Sequence, residues 1–271
     1  MQTVRRDDAT YLSRMILKED AARIVAVGGD GHLNEVLNGF IENDLPVNPE
    51  ARLSFVMTGT GCDFQRSLGI SSKWQKAVAN LKDAQVQQID VGKVTYTAAD
   101  NTQGIRYFDN IASFGLSGAV DHCIEQSRLR NFLGGTPLFL WATIKTVFTH
   151  PNQNIRFCID DGPEEEVCSR LSLLANGRYF GGAMHAAPEA KLDDGLLDLL
   201  MLKEISVAKF LWHLPKIYKG THLKIPEIFF QKVRKFTAES SEQVILDIDG
   251  ESPGYLAATF EVLPKILNLQ I

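Results

Sequence analysis

The sequence predicts an α/β domain followed by a mostly antiparallel β domain, and three observations lead to that class. Strand-like and helix-like patterns alternate over the first ninety or so residues. The first two strand-like runs each stop at a glycine turn, Gly28-Gly29-Asp30-Gly31 and Gly59-Thr60-Gly61. Beyond about Val91 the pattern changes to short β runs separated by turn residues. The 271 residues therefore divide into segments 1–90 and 91–271.

In chain order, Tyr11, Leu12, Met15 and Ile16 share one helical face, and Arg23-Ile-Val-Ala-Val27 is a β-branched run of a buried strand. Leu33, Val36, Leu37, Phe40 and Ile41 follow at i, i+3, i+4, i+7 and i+8, the apolar stripe of an amphipathic helix. Leu53-Ser-Phe-Val-Met57 is the second strand, and a further helix is predicted from about Lys73 to Lys82. Strands alternating with helices form a parallel sheet, whose ligands sit outside the carboxyl ends of the strands, where both glycine turns fall. In the second segment Lys93–Thr97, Ile105–Asn110, Ile155–Ile159, Arg170–Ala175, Leu196–Leu202, Val244–Asp249 and Ala258–Leu263 read as strands, with one long helical stretch near 120–148.

Composition removes several classes of function. Apolar residues make up 45% and charged residues 23%, which excludes a disordered scaffold. With 28 Lys and Arg against 33 Asp and Glu, the net charge of -5 offers no global field for nucleic acid, so anion binding must be local. Cys62, Cys123, Cys158 and Cys168 contain no CxxC pair, so reduced thiols are expected. Arg5, Arg6, Asp7 and Asp8 interrupt the start where a secretory leader would be apolar, which points to the cytoplasm. The stretch from Asn131 to Ile144 is shorter than the roughly 20 residues a spanning helix needs and is broken by Gly134, Gly135 and Pro137.

Four segments carry chemistry. Gly28-Gly29-Asp30-Gly31 lies between a strand and a helix, where backbone N–H groups and the helix dipole favour a phosphate; the plain alternative is a tight turn with Asp30 as N-cap. Gly59-Thr60-Gly61-Cys62-Asp63 repeats the arrangement after the next strand, so two turns with carboxylates converge on one nucleotide site. There is neither a GxxxxGK nor a GxGxxG motif, which excludes a P-loop and a dinucleotide fingerprint. Leu192-Asp193-Asp194-Gly195-Leu196 suits either a hard cation or a hairpin turn. Asp249-Gly250-Glu251 is either a hairpin turn or a carboxylate placed for proton abstraction. Gly115-Leu-Ser-Gly118 lacks the GxSxG spacing of a hydrolase nucleophile elbow.

Taken together, Val27-Gly-Gly-Asp-Gly-His-Leu-Asn-Glu-Val36, Gly59-Thr-Gly-Cys-Asp-Phe64, Tyr179-Phe-Gly-Gly182 with Pro188, Asp193-Asp-Gly-Leu196 and Asp249-Gly-Glu251 resemble the diacylglycerol kinase catalytic-domain family, most of all its bacterial soluble lipid kinases. The resemblance runs from about residue 8 to the end of the chain. It implies an N-terminal α/β nucleotide-binding domain like that of phosphofructokinase and NAD kinase, then a β-sandwich domain, with ATP and Mg²⁺ between them. By matching position it implies ATP contacts along Gly28, Gly29, Asp30, Gly31, His32, Leu33, Asn34 and Glu35 and at Gly59, Thr60 and Gly61. Asp30 and Asp63 would organise metal and water around the phosphates. A structural Mg²⁺ would be held by the Lys191 and Leu196 carbonyls and the Asp194 side chain. Glu251, slightly ahead of Asp249, would take the proton of the acceptor hydroxyl. Such a kinase transfers a phosphoryl group mainly by positioning and charge neutralisation.

Three departures from the family pattern stand out. His32 replaces the usual Thr, Cys62 replaces the usual Asn, and the chain begins after the family's first strand and its Asn-Pro turn, as an N-terminally truncated version would. The expected substrate is a lipid hydroxyl, diacylglycerol first, reached peripherally at the inner membrane surface in phospholipid metabolism. A non-catalytic lipid- or nucleotide-binding protein and a kinase of another substrate, NAD included, are the alternatives. No stable protein partner is implied and homodimerisation stays open. Lys216 to Phe236, with six basic residues against Glu227 and interleaved aromatics, is the expected membrane-docking stretch, or else a solvated strand face. Phe132, Phe139, Leu140 and Trp141 line an acyl-chain entrance or pack in the core.

Overall fold

The first segment runs α1 (Asp8–Lys18), β1 (Arg23–Gly28), α2 (Asp30–Phe40), β2 (Ile41–Glu42), β3 (Leu45–Pro46), β4 (Arg52–Met57) and α3 (Asp63–Ser67) in a computed structural model. The structure describes every residue except 1, 2, 6, 60, 71–74, 76, 77, 79, 80, 82–84, 133 and 134, so most of the helix predicted for Lys73 to Lys82 lies outside the described residues. Strands β1 and β4 pair in parallel from Arg23 opposite Arg52 to Gly28 opposite Met57. The Thr58 N–H donates to the Gly28 carbonyl at 2.8 Å, so the two strands end level and deliver their glycine turns side by side. The stripe read from the sequence faces inward: Leu33, Val36, Leu37 and Phe40 of α2 pack with Leu17 of α1 and with Leu53 and Phe55 of β4. Strand β1 differs from the expected buried strand. It ends the sheet on that side, with Val27 58% exposed, because nothing described covers its second face.

The second segment continues β5 (Val86–Ala98), β6 (Gln103–Phe108), β7 (Ile111–Gly115), α4 (Leu116–Gln126), α5 (Gly135–Val147), β8 (Gln153–Ile159) and β9 (Glu164–Ala175). Next come β10 (Leu197–Lys203), α6 (Val207–Tyr218), β11 (Ile228–Val233), β12 (Lys235–Glu239), β13 (Leu246–Ile248) and β14 (Gly254–Gln270). The one helix expected near 120–148 is two, α4 and α5, separated by a 3₁₀ turn over Arg128–Asn131 that the Ser127 side chain caps. Helix α6 was not anticipated, although Val207, Phe210, Leu211, Leu214 and Ile217 recur at helical spacing and Ser206 caps its start. The stretch from Lys216 to Phe236 is thereby divided among the end of α6, β11 and β12.

Phe114, Phe157, Phe236 and Phe260 stack at centroid distances of 5.7–6.3 Å in the core of the β-sandwich. Strands β5 and β14 form one antiparallel ribbon shared by both cores. Ile89, Val91, Leu267 and Leu269 pack against α1 and α2, while Val94, Ala258, Phe260 and Val262 belong to the sandwich. The last residues of β14 then pair in parallel with Arg52 and Leu53 of β4. Residue 90, taken above as the domain border, thus lies inside a strand, and the end of the chain returns to the first sheet. The fully buried Asp90 carboxylate pins this crossing by accepting from the Gly195 N–H at 2.6 Å and the Lys265 N–H at 2.8 Å.

Candidate active site

The site is built first from backbone. Gly29 is the N-cap of α2, with extended geometry (φ −92°, ψ −175°) and no capping side chain, so the N–H groups of the first turn face outward with the helix dipole behind them. The two glycine turns touch. A Cβ on Gly59 would lie 2.7 Å from the Gly29 Cα, and a Cβ on Gly61 would lie 3.0 Å from Asp30 Oδ2. His32 folds back over Gly28, where a Cβ would meet its side chain at 2.7 Å. Thr60 lies outside the described residues.

Asp30 is the first residue of α2 rather than its cap, and its carboxylate reaches α3 to accept from the Phe64 N–H at 3.3 Å. Burial, and after it the charge of Asp63, push its carboxyl up to about 6. Asp63 does something different from the expected organisation of metal and water. Its two oxygens accept from the Gly182 N–H at 2.8 Å and the Ala183 N–H at 2.9 Å, so it fastens the loop of the second domain to the first. Ser67 Oγ of α3 accepts from the Arg178 N–H at 2.8 Å and adds to the clamp, while Asn110 Nδ2 donates to the Tyr179 carbonyl at 2.7 Å within the second domain. Ala183 has a φ of 84°, where a non-glycine residue is strained, and the clamp helps to hold it there.

The stretch that follows the glycine turn points inward. Leu33 is 1% exposed in the core, and Glu35 Oε2 accepts from the Ala9 N–H at 3.3 Å, at the start of α1. Asn34 is fully buried: its Nδ2 donates to Asp249 Oδ2 at 2.8 Å and to the Tyr107 carbonyl at 2.9 Å, and its Oδ1 accepts from Arg106 Nε at 2.9 Å. Leu33 and Asn34 thus lie on the buried face of α2 and turn their side chains away from the glycine cradle, while half-buried Glu35 is engaged at the start of α1.

Of the two carboxylates of Asp249-Gly250-Glu251, Asp249 is saturated. Oδ1 accepts from the Ile111 N–H at 2.8 Å, and Oδ2 accepts from Asn34 and from the Asp109 N–H at 3.1 Å. Burial raises the pKa of Asp249 and raises that of neighbouring Asp109 further, so the two buried carboxyls titrate as a pair. Glu251 instead faces the helix start, where its Oε1 would lie 3.6 Å from a Cβ on Gly31 and its Oε2 is 3.8 Å from Arg106 Nη2.

The expected structural magnesium site does not fit. Asp194 Oδ1 accepts from the Leu196 N–H at 3.2 Å, and Oδ2 is 2.9 Å from the Lys232 ammonium. A dication about 2.1 Å from that carboxylate would face the ammonium at close range. Among the described residues, no three His, Cys, Asp or Glu side chains are grouped to hold a metal.

Beside the clamp, the second domain encloses an apolar cavity of about 80 Å³. Phe139 and Thr143 of α5, Phe210 and Leu214 of α6, and Phe180 and Met184 of the clamped loop contribute to its wall. Phe139 and Trp141 pack against this cluster, whereas Phe132 is 84% exposed. Among the described residues no helix is long and apolar enough to cross a membrane.

An uncapped glycine cradle thus lies beside buried carboxylates between an α/β layer and a β-sandwich, an arrangement suited to a phosphate-bearing ligand. Comparison with known proteins agrees. Residues 1–94 match the diacylglycerol kinase catalytic domain, and residues 110–271 match the YegS C-terminal NAD kinase beta sandwich-like domain. A protein of Staphylococcus haemolyticus named diacylglycerol kinase is 31% identical over 98% of this chain and 76% of its own length. The crystal structure of a diacylglycerol kinase from Bacillus anthracis has a TM-score of 0.70 at 21% identity, covering 99% of this chain and 83% of that one. Yeast NADH kinase shares the fold at a TM-score of 0.50 and 11% identity, over 93% of this chain and 63% of its own. The chain belongs to the diacylglycerol kinase catalytic-domain family, with the YegS-type C-terminal domain, and its function is that of a kinase.

Proposed function

We propose that this kinase takes its phosphoryl group from ATP with Mg²⁺ and transfers it to a lipid hydroxyl, diacylglycerol first, at a membrane surface. The observation that carries the lipid reading is the apolar cavity, whose wall includes Phe180 and Met184 on either side of the Gly182 and Ala183 N–H groups that hold Asp63. An acyl chain suits such a wall and a nicotinamide nucleotide does not. The cavity is narrow at about 80 Å³, so a long chain enters by displacing side chains of α6, of which Phe210 is the one buried residue.

In this reading the first-turn N–H groups of α2 and the backbone of Gly29 and Gly59 hold the phosphates, and the two turns meet because Gly59 carries no Cβ to strike the Gly29 Cα. Asp30 is the carboxylate placed to hold a cation, since burial and then the Asp63 charge press on it while Asp63 and Asp249 are taken up by N–H donors. Bound Mg²⁺ supplies charge neutralisation for the triphosphate. Glu251 orients the acceptor hydroxyl and takes its proton as the oxygen bonds to phosphorus and the bond to ADP breaks; saturated Asp249 positions the turn instead. Membrane approach falls to the α5 and α6 side, where Trp212 is 78% and Phe148 65% exposed and Lys219 and Lys224 face solvent. Lys232 and Lys235, expected in that role, are held by Asp194 and Asp198 and by Asp161.

The test is transfer of labelled γ-phosphate from Mg-ATP to diacylglycerol, a sphingoid base, phosphatidylglycerol and NAD, with the lipids in mixed micelles. Labelled lipid is the expected product. Labelled NAD would replace the lipid by a nucleotide acceptor, and lipid binding with no transfer to any acceptor would leave a non-catalytic binder.

A further inference from the structure

Strands β10 and β11 pair so that Asp198 and Lys232 are directly opposite. The Lys232 ammonium lies 2.8 Å from Asp198 Oδ1, 2.9 Å from Asp194 Oδ2 and 3.4 Å from the Glu189 carbonyl oxygen. An ammonium has three N–H donors and here meets three oxygens, one from β10, one from the turn before it and one from the segment leading into that turn. Asp198 is 1% exposed, so its charge is withdrawn from water and needs a resident counter-charge. The turn joining these groups, Asp193 to Leu196, is held from its other side by the Asp90 carboxylate through the Gly195 N–H. Among the described residues, Lys232 is thus the cation in contact with Asp194 and Asp198, while Asp90 holds the same turn from behind.

We infer that the Lys232 ammonium is the built-in cation of the Asp193–Leu196 turn and occupies the role that a structural divalent ion would fill at Lys191, Asp194 and Leu196. A cation tethered to a strand is present whenever β11 is paired and costs no translational freedom to recruit. Its single charge serves two carboxylates: Asp198, buried and paired through Oδ1, and Asp194, whose other oxygen accepts from the Leu196 N–H. The turn is therefore independent of metal, whatever the nucleotide requires.

Manganese is the probe, counted by electron paramagnetic resonance in the full chain without nucleotide, alongside thermal unfolding with and without EDTA. Wild type and Asp194→Asn should bind the same number of Mn²⁺ ions, and EDTA should leave the wild-type melting temperature unchanged. Lys232→Met should melt roughly 5–15 °C lower, recover part of that loss with Mn²⁺ or Mg²⁺, and gain one Mn²⁺ site that the double variant with Asp194→Asn lacks. Loss of one Mn²⁺ from Asp194→Asn in the wild-type background would overturn the inference, and that comparison stands even if Lys232→Met fails to fold.

Discussion

Asn34 Nδ2 donates to Asp249 Oδ2 at 2.8 Å, joining residues 215 positions apart in the chain. Through this one contact the helix behind the glycine turn is locked to the turn that carries Glu251. The same Asn34 side chain satisfies the Tyr107 carbonyl and Arg106 Nε, so three elements meet on one amide.

Replacing Asn34 by Ala leaves those partners buried without theirs. The expected cost is about 2–4 kcal/mol, since each unsatisfied buried group costs roughly 1–3 kcal/mol. Urea unfolding would read this as a lower midpoint at constant slope. A loss of under half a kcal/mol would mean that water replaces the amide and that Asn34 does not lock the two segments.

Glu251→Gln and Asp249→Asn should separate chemistry from structure. Glu251→Gln is expected to lower kcat by about 10²–10⁴-fold with little change in melting temperature. Asp249→Asn should melt lower, because an amide cannot accept at both oxygen positions from the Ile111, Asn34 and Asp109 donors. The opposite pattern, a stable Asp249→Asn without activity and an active Glu251→Gln, would exchange the two roles.

The glycine turns make unequal demands. Gly59→Ala would drive its Cβ to 2.7 Å from the Gly29 Cα, against backbone, whereas a Cβ on Gly29 meets Gly59 at an ordinary 3.6 Å. Gly59→Ala should weaken nucleotide binding by more than about tenfold and cost roughly 1–3 kcal/mol of stability from overpacking, with Gly29→Ala milder in stability. Calorimetric titration and thermal melts compare the two. Equal stability losses would show that the turns are further apart in solution.

The fold also carries a pH dependence in a second buried pair, Asp121 and Asp247. Burial, and after it the charge of Asp247, raises the Asp121 pKa well above normal; burial pushes Asp247 to about 6. Unfolded, both titrate near 3.9. The folded state therefore binds more protons between about pH 4 and 6. This contribution is fully present below the unfolded value and is lost as pH rises through the folded one. Asp121→Asn supplies a permanent donor to Asp247, so stability at pH 8 should rise by about 1–3 kcal/mol relative to wild type while that at pH 4.5 changes little. A parallel loss at both pH values would mean that the pair is not proton-linked.

Local pattern made much of the fold legible. The apolar stripe from Leu33 to Ile41 specified α2, and the runs ending at Gly28 and Met57 specified a parallel pair with its turns at one edge. Helix α6 was equally visible in Val207, Phe210, Leu211, Leu214 and Ile217 but was obscured by the basic residues beside it. The same stripe carried information about the site, because Leu33 belongs to the buried face of α2 and so has no side chain to offer a nucleotide.

By itself, then, the sequence determined which segments are helix or strand, where the glycines interrupt them and which family the motifs belong to, because these depend on residues within a few positions of one another. Tertiary structure alone decided which carboxylate does what. Asp63 became a clamp because the Gly182 and Ala183 N–H groups arrive from 119 and 120 residues away. Asp249 became saturated and Glu251 faced the helix start because β13 sets one turn against β7 and α2. Asp194 met an ammonium because β11 lies beside β10. A carboxylate's role is set by the donors and charges around it, and those come from strand pairings that no short window of sequence contains.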